Sequence, residues 1–363
     1  SGTLRVIEHV LEPPAPADLT CSRQPDEWRF TGMTKSGLEQ LLNDAEIDDG
    51  DWLAMLAKAR CDAAGCTLQP TMDVVMRMDA KARAVVYGRL AAVPEDAASL
   101  PVLTRWTRQA DLWSGPGVPP AARAIIEERS FRVGDAVMFM DLPILCRAFE
   151  AMENGRAARI ATLRVLARVP SLMMQIHVDA ATDLGALAAW WGEGGREEEV
   201  RPMLESLARV PGGTWVDVVH LLPRTARARL YGYPSETDPP RDCHWTAFNF
   251  FRDSPDDALA DPARVNAMLA NEYVNVEGQP PRLGDLLLFI RRQGESTVYF
   301  HSAVYVADDV VFTKNGRSAR RPWELMRLAD VRATYYSATS VVHVRRRVVG
   351  TPARVVDAAH VPY

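Results

Sequence analysis

Through most of the first two-thirds of the chain, apolar residues recur three and four positions apart, the spacing of a helix with one buried face. SGLEQLLNDAEI (36–47) opens on Ser36 with Glu39 three residues on, a capping-box pattern. Helices are also expected over 51–60, 80–93, 121–133, 138–152, 156–169, 184–192 and 197–210, and over part of 214–233. Residues 71–78 fit strand or helix equally, 99–120 read as a loop, and 171–178 read as a strand. Before all of these, Pro13, Pro14, Pro16 and Pro25 turn residues 1–30 into a tether, with a strand-like piece at Leu4–Ile7.

The texture changes near residue 234. The turn-rich PSETDPPRD (234–242) leads into helix patterns at 242–251 and 261–274. Apolar strand-like runs follow at 285–292, 296–307, 309–314 and 340–349, with a short helix expected at 321–331. Arg345, Arg346 and Arg347 suggest an exposed sheet edge. The expected class is α+β. The expected division is a tether (1–30), a mostly helical part (31–230) and an α+β part (231–363).

Composition narrows the function. The 363 residues are 47% hydrophobic and 25% charged, ordinary for a packed protein. The net charge of −5 supplies no basic field, which argues against nucleic acid as the main partner. No apolar run approaches the ~20 residues of a membrane-spanning helix. Cys21, Cys61, Cys66, Cys146 and Cys243 are too few and scattered for a disulfide framework, and the odd count leaves one thiol over. Cys61 and Cys66 have no second pair of ligands to make a zinc site, but suit a local disulfide in an exported protein.

Cys243 begins a helix pattern, where free backbone N–H groups favour a thiolate. His301 lies within the apolar strand TVYFHSAVYVA, where a histidine is more often a core residue than a catalyst. Together they change the reading, because a helix-borne cysteine facing a strand-borne histidine is the arrangement of a papain-like nucleophile and base.

Four pieces in order carry a resemblance: Tyr231, 12 residues before Cys243; Asp242-Cys243; RLGDLLLF (282–289); and HSAVYVADDVVF (301–312). Over residues 231–315 the chain resembles the NlpC-type cell-wall cysteine peptidases of the papain-like superfamily. The resemblance implies a papain-like domain, with the nucleophile helix packed on an antiparallel sheet. It implies amide hydrolysis, most often in peptidoglycan peptides, with no metal or organic cofactor and an extracytoplasmic location. Cys243 is then the nucleophile and His301 the base. Thr313 falls at the third polar position, and Asn315 offers a better acceptor for the imidazole. Tyr231 and the backbone N–H of Cys243 are oxyanion donors. His244 and Trp245 replace the family's Ser-Gly after the cysteine and wall the substrate groove. Asp242 reads as a cap and Asp285 as structural. Two rivals stay open: acyl transfer or amidase chemistry on another substrate, and a papain-like binding module without turnover.

Overall fold

The computed structural model describes residues 3–13, 24–25, 27–47, 49–91, 104–106, 117–133, 136–235, 237–239, 241–293, 296–335 and 340–348. The fold is α+β, and the strand pairs within its sheets are antiparallel. No helix among the described residues is long and apolar enough to cross a membrane. The chain forms two compact units, Ser1–Leu11 with Val169–Tyr363, and Glu12–Arg168. The division therefore does not fall at residue 230. Residues 169–230 build part of the unit that holds Cys243, and so does the start of the expected tether, as strand β1 (Leu4–Leu11).

The Glu12–Arg168 unit is less helical than its periodicity suggests. Strands β2 (Trp28–Thr31), β3 (Arg60–Asp62) and β4 (Gly65–Leu68) form one sheet, in the order β2-β4-β3. Strands β5 (Thr104–Trp106), β6 (Phe131–Val133) and β7 (Ala136–Phe139) form another, ordered β5-β7-β6. The ambiguous 71–78 run is the helix Met72–Arg77, capped by Thr71. The first helix, Lys35–Asp44, is capped by Thr34 rather than Ser36, its hydroxyl accepting from Gly37 N–H. Most of the 99–120 loop lies outside the described residues. Cys61 and Cys66 face each other across the β3–β4 hairpin and are disulfide-bonded. Inside the unit, the buried Asp141 carboxylate accepts from Arg83 Nε and from Tyr87 Oη, each at 2.7 Å. This pairing offsets the cost of burying the charge.

In the other unit, β1 pairs along its length with β8 (Val169–Val178), and β9 (Thr214–Asp217) pairs with the far side of β8. The larger sheet has the order β10-β15-β11-β12-β13-β14. Its strands are β10 (Tyr273–Asn275), β11 (Leu286–Gln293), β12 (Ser296–Ala307), β13 (Val310–Lys314), β14 (Trp323–Arg327) and β15 (Ser340–Arg347). The expected 321–331 helix is therefore β14 followed by the helix Leu328–Thr334. β15 is an inner strand, not an edge. Its arginines are tolerated there because Arg346 pairs with Asp285 and Arg347 with Glu272.

Both faces of the six-stranded sheet are covered, so β11 reads as the unbroken apolar run LLLFI. Leu286, Leu288, Ile290, Val304 and Phe312 join one core with Trp245 and Phe248 of the helix Cys243–Phe248. Leu287, Phe289, Ala303 and Val311 join a second core with Val331 of the helix Leu328–Thr334. The alternation breaks once where it matters. Phe289 pairs with His301 but Ile290 pairs with Tyr299, so Phe300 is an extra residue, a β-bulge. The bulge lets Phe300 and His301 share the Val331 face. At the entry to β11, Gly284 has φ +87°, and a Cβ there would lie 2.0 Å from the Phe251 ring. Only glycine fits both conditions.

Candidate active site

The helix Cys243–Phe248 begins sharply because Asp242 caps it, Oδ1 accepting the Trp245 N–H at 2.9 Å. Asp242 is thus the cap the sequence suggests, and its Oδ2 also receives Arg317 Nε at 3.3 Å. Cys243 is a free thiol at the first helical position, 6% exposed. The helix packs on β12 and β13. Its docking brings the Cys243 sulfur onto the backbone N–H of Ser302, the residue after His301. This contact is possible because the β12–β13 pairing ends at Val304–Phe312. Beyond it, Ser302 N–H is open to a third element.

The thiol is not activated in this state. Burial pushes Cys243 up to about 12, and the Asp242 carboxylate adds to the shift. Hydrogen bonds from the Ser302 and His244 backbones and the Lys314 charge oppose it without winning. A six-residue helix offers little dipole against burial. The expectation of a thiolate favoured by the helix terminus is therefore corrected.

His301 has no exposed surface. Its Nε2 lies 3.1 Å from Thr313 Oγ1. The Thr313 hydroxyl has one hydrogen, and the Ser302 carbonyl, 3.2 Å away, can only accept it. Thr313 must then accept from His301, so Nε2 carries the proton and Nδ1 carries the lone pair. Nδ1 makes no hydrogen bond. The imidazole lies on the Val331 face of the sheet with Phe289 and Tyr335, whereas the helix that carries Cys243 packs on the other face, so thiol and imidazole are not in contact. Burial, and then His244, hold the imidazole well below its ordinary 6.5.

The sign of that shift gives a stability prediction. A histidine depressed in the folded state contributes stability that is complete above the unfolded value of 6.5. It is lost as pH falls toward the folded value. Urea unfolding at pH 7.5 and pH 5 should show a steeper loss for the parent than for His301→Gln. His9 and His244 are also depressed, but remain in both proteins and cancel in the difference. Equal pH slopes would contradict a neutral buried His301.

The remaining expected site residues divide. Thr313 is hydrogen-bonded to the imidazole, and Asn315 is not. In an unbroken ladder Asn315 would oppose His301, but the strands diverge first. Asn315 instead donates to Glu324 Oε1 at 2.8 Å and accepts from Tyr335 Oη at 2.9 Å. Tyr231 is not available as an oxyanion donor, because its hydroxyl is spent on the Leu172 carbonyl at 2.8 Å and its ring on His9. Trp245 does not wall a groove. It is fully buried, donates Nε1 to Asp257, and lies under the guanidiniums of Arg229 and Arg241. His244 turns to β12, its Nδ1 2.7 Å from Ser302 Oγ. Burial lowers its pKa, so it is a neutral neighbour of the site. Asp285 is structural, as expected, and is bidentate to Arg346.

Three groups had no clear signal in the sequence. Lys314 is fully buried, donates to the Gly316 and Ser318 carbonyls at 2.6 and 3.0 Å, and is pulled down by burial to about 8. The charges of Cys243 and Asp242 act on it in the opposite direction. Glu324 is buried on β14 opposite Thr313, and burial pushes it up to about 8. Tyr335 stacks on the His301 ring at 3.9 Å between centroids, 19° from parallel. Counting along β13 locates Lys314 and Thr313 once the strand is known. Nothing local to Tyr335 announces a ring contact with a residue 34 positions away.

Among the described residues no group of three or more histidine, cysteine or carboxylate side chains could hold a metal ion. No family model, curated protein or solved structure matches this chain.

Proposed function

We propose that the protein is a papain-like cysteine hydrolase that cleaves an amide bond, with peptidoglycan peptides as the first substrate class to test. One observation carries the reading: a free cysteine opens a helix packed on the strand that carries a buried histidine, whose Nε2 is held by Thr313, leaving Nδ1 as a lone pair. In the reaction, His301 Nδ1 takes the thiol proton as Cys243 Sγ attacks the carbonyl carbon. The imidazolium gives that proton to the leaving amine, and the C–N bond breaks. Water, deprotonated by His301, then cleaves the thioester and returns the thiol. The oxyanion meets the backbone N–H of Cys243, which has no partner one helical turn earlier. Thiol chemistry of this kind uses no cofactor. The Cys61–Cys66 disulfide supports an oxidising, extracytoplasmic setting.

The burial of Cys243 and His301 favours a second reading, a module of the same architecture that binds peptides without turnover. Mass spectrometry of muropeptides and amidated peptides incubated with the protein separates the two. New amine and acid termini that depend on Cys243 support hydrolysis. Binding without cleavage at any pH supports the silent module.

Thr313 offers a graded test. Thr313→Val removes the acceptor for His301 Nε2 at nearly constant volume. It is expected to lower the hydrolysis rate by about 10- to 100-fold, the range for losing an outer partner that orients a functional histidine, as measured at metal-bound histidines. Thr313→Ser should retain most of the rate. Equal losses in both variants would mean that packing, not the hydroxyl, matters.

A further inference from the structure

A row of polar side chains crosses the otherwise apolar sheet face under the helix Leu328–Thr334. Glu324 lies opposite Thr313 in the β13–β14 ladder, so both look toward this face with His301. The row has one direction. Asn315 Nδ2 donates to Glu324 Oε1, which turns its amide oxygen outward to accept the Tyr335 hydroxyl. Tyr335 in turn lays its ring flat on the imidazole. Phe289 meets the same imidazole edge-on at 5.4 Å, and Thr313 holds Nε2. Placing a carboxyl and an amide among Leu287, Phe289, Ala303 and Val311 carries a desolvation cost that an apolar pair would avoid. A polar row at such a place needs a reason.

We infer that Glu324, Asn315 and Tyr335 are a positioning relay that fixes the plane of the His301 ring, so that Nε2 stays on Thr313 and Nδ1 is the atom of the imidazole left to take a proton. The inference rests on the proposed Cys243–His301 chemistry for its purpose. Its geometry concerns His301 alone. Asn315, one of the two residues that the sequence offers to orient the histidine, acts through the tyrosine instead.

The test reads the imidazole itself. Full-length protein labelled with ¹⁵N-histidine is titrated by NMR, as parent, Tyr335→Phe, Asn315→Ala and the double variant. In the parent, His301 should show one tautomer, with the proton on Nε2 and a midpoint well below 6.5. Tyr335→Phe keeps the ring and cuts its anchor. It should mix the tautomers and move the midpoint toward 6.5. Asn315→Ala should do the same, and the double variant should go no further, because both cut one chain of contacts. Glu324→Gln, which keeps a carbonyl for Asn315, should behave as the parent, and Glu324→Leu as Asn315→Ala. The relay is overturned if Tyr335→Phe leaves tautomer and midpoint unchanged, or if the two single effects add. Hydrolysis is not the readout. A relay that holds in a protein that cleaves nothing would therefore overturn the proposed function alone, and the reverse result would overturn only the relay.

Discussion

On the proposed hydrolase reading, Cys243→Ala should abolish amide hydrolysis, a loss of about 10⁵-fold or more, since removing a nucleophile leaves only binding and oxyanion contacts. The same residue should be nearly inert to iodoacetamide in the resting protein. With the thiol near 12, the thiolate fraction at pH 7 is about 10⁻⁵, and alkylation should climb tenfold per pH unit without a plateau below pH 11. His301→Ala should leave this profile nearly unchanged, because the imidazole makes no bond to the thiol at rest. The two results belong together. On the proposed reading, a neutral thiol and a neutral base that do not touch at rest react only when a bound carbonyl accepts the sulfur as the proton leaves. A plateau below pH 8.5 that disappears in His301→Ala would show a preformed ion pair and overturn the resting state described above.

Asp285→Ala should cost the Cys243 unit about 3–5 kcal/mol, the range for removing one partner of a buried ion pair. Asp285 is 1% exposed, and both its oxygens accept from Arg346 at 2.7 Å. Its Oδ2 also accepts the Arg282 N–H, closing the turn before β11. Alanine would leave the half-buried Arg346 guanidinium without its carboxylate and the turn without its clasp. Urea denaturation followed by tryptophan fluorescence measures the loss. Arg346→Met in the Asp285→Ala background should add little, because the pair is already broken. A cost below about 1 kcal/mol would mean that solvent replaces the carboxylate freely.

Local signals along the chain were reliable where one residue satisfies its own neighbourhood. Asp242 before Cys243 is a cap because its side chain reaches only three residues ahead. LLLFI is an inner strand because apolar residues on both faces have nowhere else to go. Expected helices at 138–152 and 321–331 each lost their first residues to a strand, Ala136–Phe139 and Trp323–Arg327. In both, pairing with another strand, β5 and β6 for the first and β13 for the second, outweighed a helical spacing that fits either structure. The boundary at residue 230 failed for a related reason. Strand β8 is far from β14 in sequence, but Ser171 on β8 exchanges hydrogen bonds with Leu325 on β14, so residues after 168 fold with the C-terminal sheet.

Read along the chain alone, the order of the chemistry-bearing residues is plain: a capped cysteine, then a histidine on a strand, then a polar residue one strand further on. The C-terminal region also reads as α+β, because the periods of its apolar runs differ. Which atoms meet depends on folding. The end of the β12–β13 ladder gives the thiol the Ser302 N–H and gives the imidazole Thr313 rather than Asn315. Burial from both sides of the sheet sets the thiol high and the imidazole low, and the Leu172 carbonyl takes Tyr231 away from the site. Spacing along a chain constrains what a residue can reach, but ionisation and hydrogen-bond partners depend on groups that folding brings from elsewhere.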